Sequence, residues 1–188
     1  MKKGTIVLIV VLAVIAIFAL SVFGSYNSLV SLDEDVNTQW ANVESKLQRR
    51  YDLIPNLVES VKGAMSQEKE VFTAIADARS RLAGAGTTTE KVEASNELEG
   101  ALSRLLVVVE NYPELKSNQN VTGLMDELSG TENRISTERD RYNETVRKYN
   151  RKIRSFPSNI LAGMFGFDER PYFEATEGAE TAPQVNFD

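Results

Sequence analysis

Most of the residue types that carry enzymatic chemistry are missing from this chain. Its 188 residues contain no histidine and no cysteine, which removes His-based triads, thiol nucleophiles, disulfides and the usual zinc sites. What remains is 27 carboxylates. The densest charged spot is Arg49-Arg50-Tyr51-Asp52, just ahead of Pro55-Asn56. Paired acids can act as general acid and base, and inward glutamates can hold two metal ions inside a four-helix bundle. Sites of that second kind also need Glu-x-x-His pairs, which this chain cannot supply. Glu138 falls on an apolar seam, where its expected role is a register-setting pair with a cation from a facing helix. No catalytic residue, cofactor or metal site is expected, and an enzyme working through carboxylates alone ranks last among the functional readings.

Two other patterns could recognise a ligand. Tyr-Asn occurs at 26, 142 and 149, and Tyr142 and Tyr149 are seven residues apart, hence on one helix face. A ligand site is one reading; the preferred one is a pair of core tyrosines whose hydroxyls find partners. Between Arg134 and Arg154 there are eight basic residues against Glu138, Asp140 and Glu144. Arg147, Lys148, Arg151, Lys152 and Arg154 then lead into Phe156-Pro157, Ile160, Leu161, Met164, Phe165 and Phe167. Basic residues followed by an apolar, aromatic segment have the composition of an interfacial anchor on anionic lipid, with Phe165 and Phe167 as contacts. The alternative is that the apolar segment folds back to cap a bundle.

These residues need elements to position them, and the N-terminus supplies the plainest one. From Ile6 to Leu20 every residue is apolar, and the stretch extends to Phe23. At about 1.5 Å per residue, about 19 residues cross a hydrocarbon core of about 30 Å. A cleaved signal peptide is the rival, but the run exceeds a usual signal core and continues through Val22 and Phe23. Lys2 and Lys3 flank one side, and no Lys or Arg occurs from Phe23 to Ser45 on the other. The expected orientation is therefore N-terminus in the cytoplasm and domain outside the plasma membrane, with a cytoplasmic domain as the alternative. The formal charge is −6, and −8 without Lys2 and Lys3. An acidic balance of that size argues against nucleic-acid binding.

Beyond the anchor, Leu29, Leu32, Val36, Trp40, Val43, Leu47, Tyr51, Ile54, Val58 and Val61 recur in steps of three and four, a helical period. Pro55 removes a backbone donor and disfavours helix at Ile54, so a kink or break is expected there. A second helix is expected from about Ser66 to Leu82, ended by Gly84 and Gly86 and a flexible Thr87–Thr89 turn. A third runs from about Glu90 to Pro113. A fourth runs from near Val121 to Phe156, with Leu128, Thr131, Ile135, Tyr142, Val146, Tyr149 and Ile153 on one seam. Nothing alternates with period two, so the fold class is all-α: a transmembrane helix followed by an antiparallel four-helix bundle with two long and two shorter helices. The expected divisions are a flank 1–4, an anchor 5–23, a bundle 24–167 and an acidic, disordered tail 168–188. Helices two and three are too short to cover one and four, which leaves a bare pair near the bilayer. Leu32, Val36, Trp40, Tyr142, Tyr149 and Ile153 would share an apolar surface there for self-association.

Tyr26-Asn27 with Leu29-Val30, Trp40, and Arg49-Arg50-Tyr51-Asp52-Leu53-Ile54-Pro55-Asn56-Leu57-Val58 together resemble the LemA family of bacterial membrane proteins. So do Ala78-Arg79-Ser80, Glu110-Asn111-Tyr112-Pro113-Glu114-Leu115-Lys116, Thr131-Glu132-Asn133-Arg134-Ile135, the two later Tyr-Asn pairs and Ala182-Pro183-Gln184-Val185-Asn186-Phe187. The resemblance covers essentially the whole chain. It implies an N-terminal anchor, a helical bundle and no established enzymatic activity, and one branch of the family takes part in building magnetosome membranes. Family descriptions often place the bulk of the chain in the cytoplasm. Arg49, Arg50, Asp52, Pro55 and Asn56 form a family motif to which the resemblance assigns no role.

The functional expectation is a membrane-tethered scaffold or adaptor, not an enzyme. It would act by self-assembly as a homo-oligomer or through other membrane proteins. A lipid-binding or membrane-remodelling module touching anionic lipid is the alternative.

Overall fold

The computed structural model describes residues 3–173, and every regular element among them is a helix. In order these are α1 (Lys3–Lys62), α2 (Lys69–Gly84), α3 (Thr88–Val109), α4 (Pro113–Lys116), α5 (Gln119–Arg154) and α6 (Ser158–Phe165). The all-α expectation holds, with two long helices and two shorter ones. The short α4 and α6 are additions that apolar spacing did not reveal. α1 carries both the apolar N-terminal stretch and the first helix of the bundle, and it passes Pro55 without a break. Pro55 is exposed, while Ile54 and Leu57 on either side of it are 1% exposed. Their burial holds the helix together against the cost of one missing donor.

The ends of the elements follow from local chemistry. Thr87 accepts a hydrogen bond from the Glu90 amide at 3.2 Å, and Glu90 accepts from the Thr87 and Gly86 amides at 3.0 and 2.8 Å. This capping box starts α3 where a flexible turn was expected. The same amide donors hold the Glu90 carboxyl below its ordinary value. Asn118 caps α5 by accepting from Asn120 and Val121. α6 ends at Gly166, whose φ of 74° lies in the left-handed region that glycine enters without a Cβ clash, and the Phe167 amide closes the turn on the Ala162 carbonyl at 3.0 Å.

The chain divides into two compact units, Met1–Ala41 with Asp140–Tyr172, and Asn42–Arg139 with Phe173–Asp188. The second unit is a four-helix core. Ile54, Leu57, Val61 and Met65 pack with Ile75 and Ala78, with Leu98, Leu102 and Leu105, and with Val121 and Leu128. Short connections reverse the chain at each step, as in an up-and-down bundle. Ion pairs tie the faces of this unit: Arg81 to Glu97 at 2.6 Å, Arg139 to Glu99 at 3.0 Å, and Lys91 to Glu44.

The first unit pairs α1 with the end of α5 in antiparallel register. Trp40 packs on Tyr142 with ring centroids 5.4 Å apart, and seven residues further along each helix Asp33 meets Tyr149. This pair is not bare. α6 buries Leu161 and Ala162, the segment after Gly166 lies along α5, and Leu29, Val36, Tyr142, Val146 and Tyr149 are all 2% exposed or less. Of the expected tail, residues 168–172 form a strap without regular structure, bonded through Glu169, Arg170 and Pro171, and 174–188 lie outside the described residues.

Candidate functional site

The charged block around Pro55 resolves into internal ties within the second unit. Arg50 is fully buried. Its Nη1 donates to Glu132 at 3.1 Å, and its Nη2 donates to the Ser95 hydroxyl at 2.5 Å and the Ser95 carbonyl at 3.1 Å. One guanidinium thus joins α1, α3 and α5, a geometry that its planar fork suits and a lysine ammonium does not. Its Nε is buried without a hydrogen-bond partner. Arg49 pairs with Glu127 on α5, and Asp52 accepts from Gln48 one turn earlier at 2.8 Å. Arg79 of α2 stacks its guanidinium 4.3 Å from the centroid of the Tyr51 ring. Pro55 and Asn56 are exposed, and Pro55 edges an open groove of about 330 Å³ with Val58, Phe72 and Ile75.

The tyrosines of the first unit do hold something, and it is the chain's own strap. The Tyr142 hydroxyl donates to the Pro171 carbonyl at 2.9 Å. Asn150 donates to the Arg170 carbonyl and accepts from the Arg170 amide, both at 2.9 Å. The Arg170 guanidinium reaches Asp33 on α1 at 2.8 Å. Burial and the Asp33 carboxylate push the Tyr149 hydroxyl up to about 12, and burial raises Tyr142. Of the expected self-association residues, Val36, Tyr142, Tyr149 and Ile153 are buried and Leu32 and Trp40 half-buried. They therefore do not form an open apolar surface: Trp40 packs on Tyr142, and the Tyr142 hydroxyl is bonded to the strap.

Among the expected lipid-contact residues, Arg147, Lys148, Arg151 and Arg154 are exposed and Lys152 is half-buried. Two of these cations have acidic partners: Lys148 bonds Glu144 at 2.8 Å, and Arg154 bonds Glu169 at 2.5 and 2.7 Å. Phe165 is exposed and Phe167 half-buried, and both rings lie against Tyr26, with centroids at 4.9 and 6.1 Å. Within α6, Ser158, Leu161 and Ala162 are buried, while Ile160, Met164 and Phe165 are exposed.

α1 carries a stretch long and apolar enough to cross a membrane, with a mean hydropathy of 2.8. From Leu8 to Ile17, and again at Leu20 and Phe23, its large side chains stand open, from 48% exposure at Val11 to 72% at Leu20. The family model described as the LemA family matches residues 39–187. The chain belongs to the LemA family. Its relatives include the magnetosome protein MamQ 2 of Paramagnetospirillum magneticum, 29% identical over 87% of this chain and 70% of that protein. The magnetosome protein MamQ of Magnetospirillum gryphiswaldense is 26% identical over 89% and 72%. Protein LemA of Metamycoplasma hominis is 24% identical over 82% and 71%. The block around Pro55 lies within the matched residues, on the segment of α1 that carries the buried Arg50.

Ser95, Glu132, Asp33 and Arg170 are the site residues that sequence reasoning assigns no role, whereas Asn150 belongs to one of the Tyr-Asn pairs it singles out. Arg50 had a readable signal. Val43, Leu47, Arg50, Ile54, Leu57 and Val61 form an unbroken alternation of four- and three-residue steps, which places the arginine on the core face.

Proposed function

We propose that this LemA-family chain is a membrane-tethered helical scaffold that works by assembling with copies of itself or with other membrane proteins, without converting a substrate. The observation that carries this reading is that the groups best suited to chemistry are engaged in holding the fold. Arg50, Glu132 and Ser95 tie three helices, and Tyr142, Asn150 and Arg170 tie down the strap. α1 supports the tether, since one helix carries both the apolar stretch and buried residues of the bundle core. The magnetosome relatives support a role in a membrane-linked body, because their names give a location and no reaction. Lys2 and Lys3 favour a domain on the far side of the plasma membrane from the N-terminus. Confinement of every copy to one bilayer raises the effective concentration for assembly.

The chain has no cysteine, so single cysteines report cleanly. With Glu59→Cys, Val107→Cys and Asn133→Cys, all at exposed positions, a short bis-maleimide applied to intact membranes should give a discrete crosslinked species for at least one variant. Monomer alone for all three, with each thiol shown to be reactive, would contradict the scaffold reading.

A further inference from the structure

We infer that α6 is a second membrane contact: a short helix lying at the lipid surface beside the point where α1 leaves the bilayer, with Phe156, Ile160, Met164 and Phe165 facing the acyl chains. The inference rests on the apolar stretch of α1 being a membrane span. Three observations carry it, all within the first unit.

The composition of α6 is wrong for a helix facing water. Ser158-Asn159-Ile160-Leu161-Ala162-Gly163-Met164-Phe165 contains no charge. Its inner face is satisfied by burial of Leu161 and Ala162, so the outer face of a water-exposed helix should be polar. Instead Phe156 just before α6 and Ile160, Met164 and Phe165 within it are 77%, 54%, 71% and 57% exposed. Large apolar side chains left open in such a concentration mark an interaction surface.

The height of α6 is fixed by contact with α1. Phe165 and Phe167 lie against Tyr26, which follows Phe23, the end of the apolar stretch, by three residues, a rise of about 4.5 Å. Tyrosine is itself a residue of the membrane–water boundary. The antiparallel register agrees. Asp33 faces Tyr149, and continuing by the same steps sets Arg154, the last residue of α5, opposite Ser28. The chain thus descends α5 to the level of the anchor's end, turns through α6, and climbs back along the strap, which Asn150 and Tyr142 hold.

The charges decide which property of the lipid matters. Lys148 and Arg154 are neutralised by Glu144 and Glu169, Arg170 by Asp33, and Asp168 adds a further negative charge beside α6. Among the described residues at this end of α5, Arg151 and Lys152 remain to attract an anionic surface, with Arg147 sharing Glu144, so apolar insertion supplies the contact and charge only assists it.

The test uses the full-length protein in phosphatidylcholine vesicles, with an environment-sensitive fluorophore on single cysteines at Leu12, Met164 or Thr38. Leu12 reports the span, and Thr38 is an exposed position of α1 about 22 Å along the helix from Phe23. Shallow spin-labelled lipid should quench Met164 several-fold more than Thr38, and deep spin label should quench Leu12 more than Met164. The Met164 signal should persist at about 1 M salt, where the Debye length is about 3 Å. Quenching at Leu12 with Met164 no different from Thr38 would overturn the inference while leaving the span intact. A blue-shifted Met164 emission that lipid does not quench would overturn it too, in favour of a protein contact. No quenching at Leu12 would remove the span and the inference together.

Discussion

Asn150 and Arg170 grip each other through two reciprocal hydrogen bonds, the Asn150 amide donating to the Arg170 carbonyl and the Arg170 amide donating to the Asn150 side-chain oxygen, both at 2.9 Å. This is the geometry of one rung of a sheet, made between a helix side chain and an extended strap. At about 1 kcal/mol for each bond, Asn150→Ala should destabilise the first unit by about 2 kcal/mol. Hydrogen exchange reads the effect locally: the Arg170 amide should lose protection while the core of the second unit keeps it. Equal protection in both proteins would mean that the strap is held by its other contacts.

Arg50 should be among the least replaceable residues of the second unit. Arg50→Met leaves Glu132 and Ser95 without their partner and should cost about 3 kcal/mol, the low end of the range for a broken buried pair because Glu132 is partly exposed. Arg50→Lys should recover only part of that, since one ammonium cannot serve both α3 and α5. Replacing Glu132 by Leu as well should restore some of the loss seen in Arg50→Met. Urea midpoints of the full-length protein in detergent measure all three, and an unchanged midpoint for Arg50→Met would mean that its ties to α3 and α5 add no stability.

Tyr149 makes the first unit sensitive to alkali. Its folded value of about 12 lies above the ordinary 10, because burial and Asp33 disfavour the phenolate. The folded state therefore holds the proton more tightly than the unfolded one. The associated stability is fully present below pH 10 and is lost as pH rises toward 12. Tyr149→Phe should flatten this part of the pH–stability curve, and phenolate absorbance in the native protein should show Tyr149 ionising late. Early ionisation would contradict the burial of this ring.

How much of this was legible in the sequence depended on what the signal measured. Apolar spacing found every long helix, since burial of one face is what the period records. It misplaced Arg50 because a charged residue was passed over in favour of Tyr51, although the four- and three-residue steps through Leu47 and Ile54 run straight through it. It reads Pro55 as a kink or a break, and of these the break does not occur: α1 continues through Pro55, with Ile54 and Leu57 both buried in the same core. The reading of Tyr142 and Tyr149 as core tyrosines whose hydroxyls find partners agrees with their burial and bonding. What those partners are is not legible, because Pro171 lies 29 residues from Tyr142 and Arg170 lies 20 from Asn150, in a segment whose acidic composition resembles disorder. Composition sees no hydrogen bond to a backbone.

The side of the membrane can be settled chemically. With Thr89→Cys at an exposed position of α3, an impermeant maleimide should label intact cells whose outer barriers admit it, because Lys2 and Lys3 favour a cytoplasmic N-terminus. Labelling only after lysis reverses the orientation and leaves the fold and its internal ties untouched.

The mass of the full-length protein in lipid nanodiscs, measured by native mass spectrometry across a range of protein-to-disc ratios, tests the scaffold function most directly. A scaffold acting through self-assembly should give discrete multiples of the 20.9 kDa chain, with the same stoichiometry persisting as empty discs are added in excess. Copies distributed among discs at random, falling to one per disc on dilution, would contradict it.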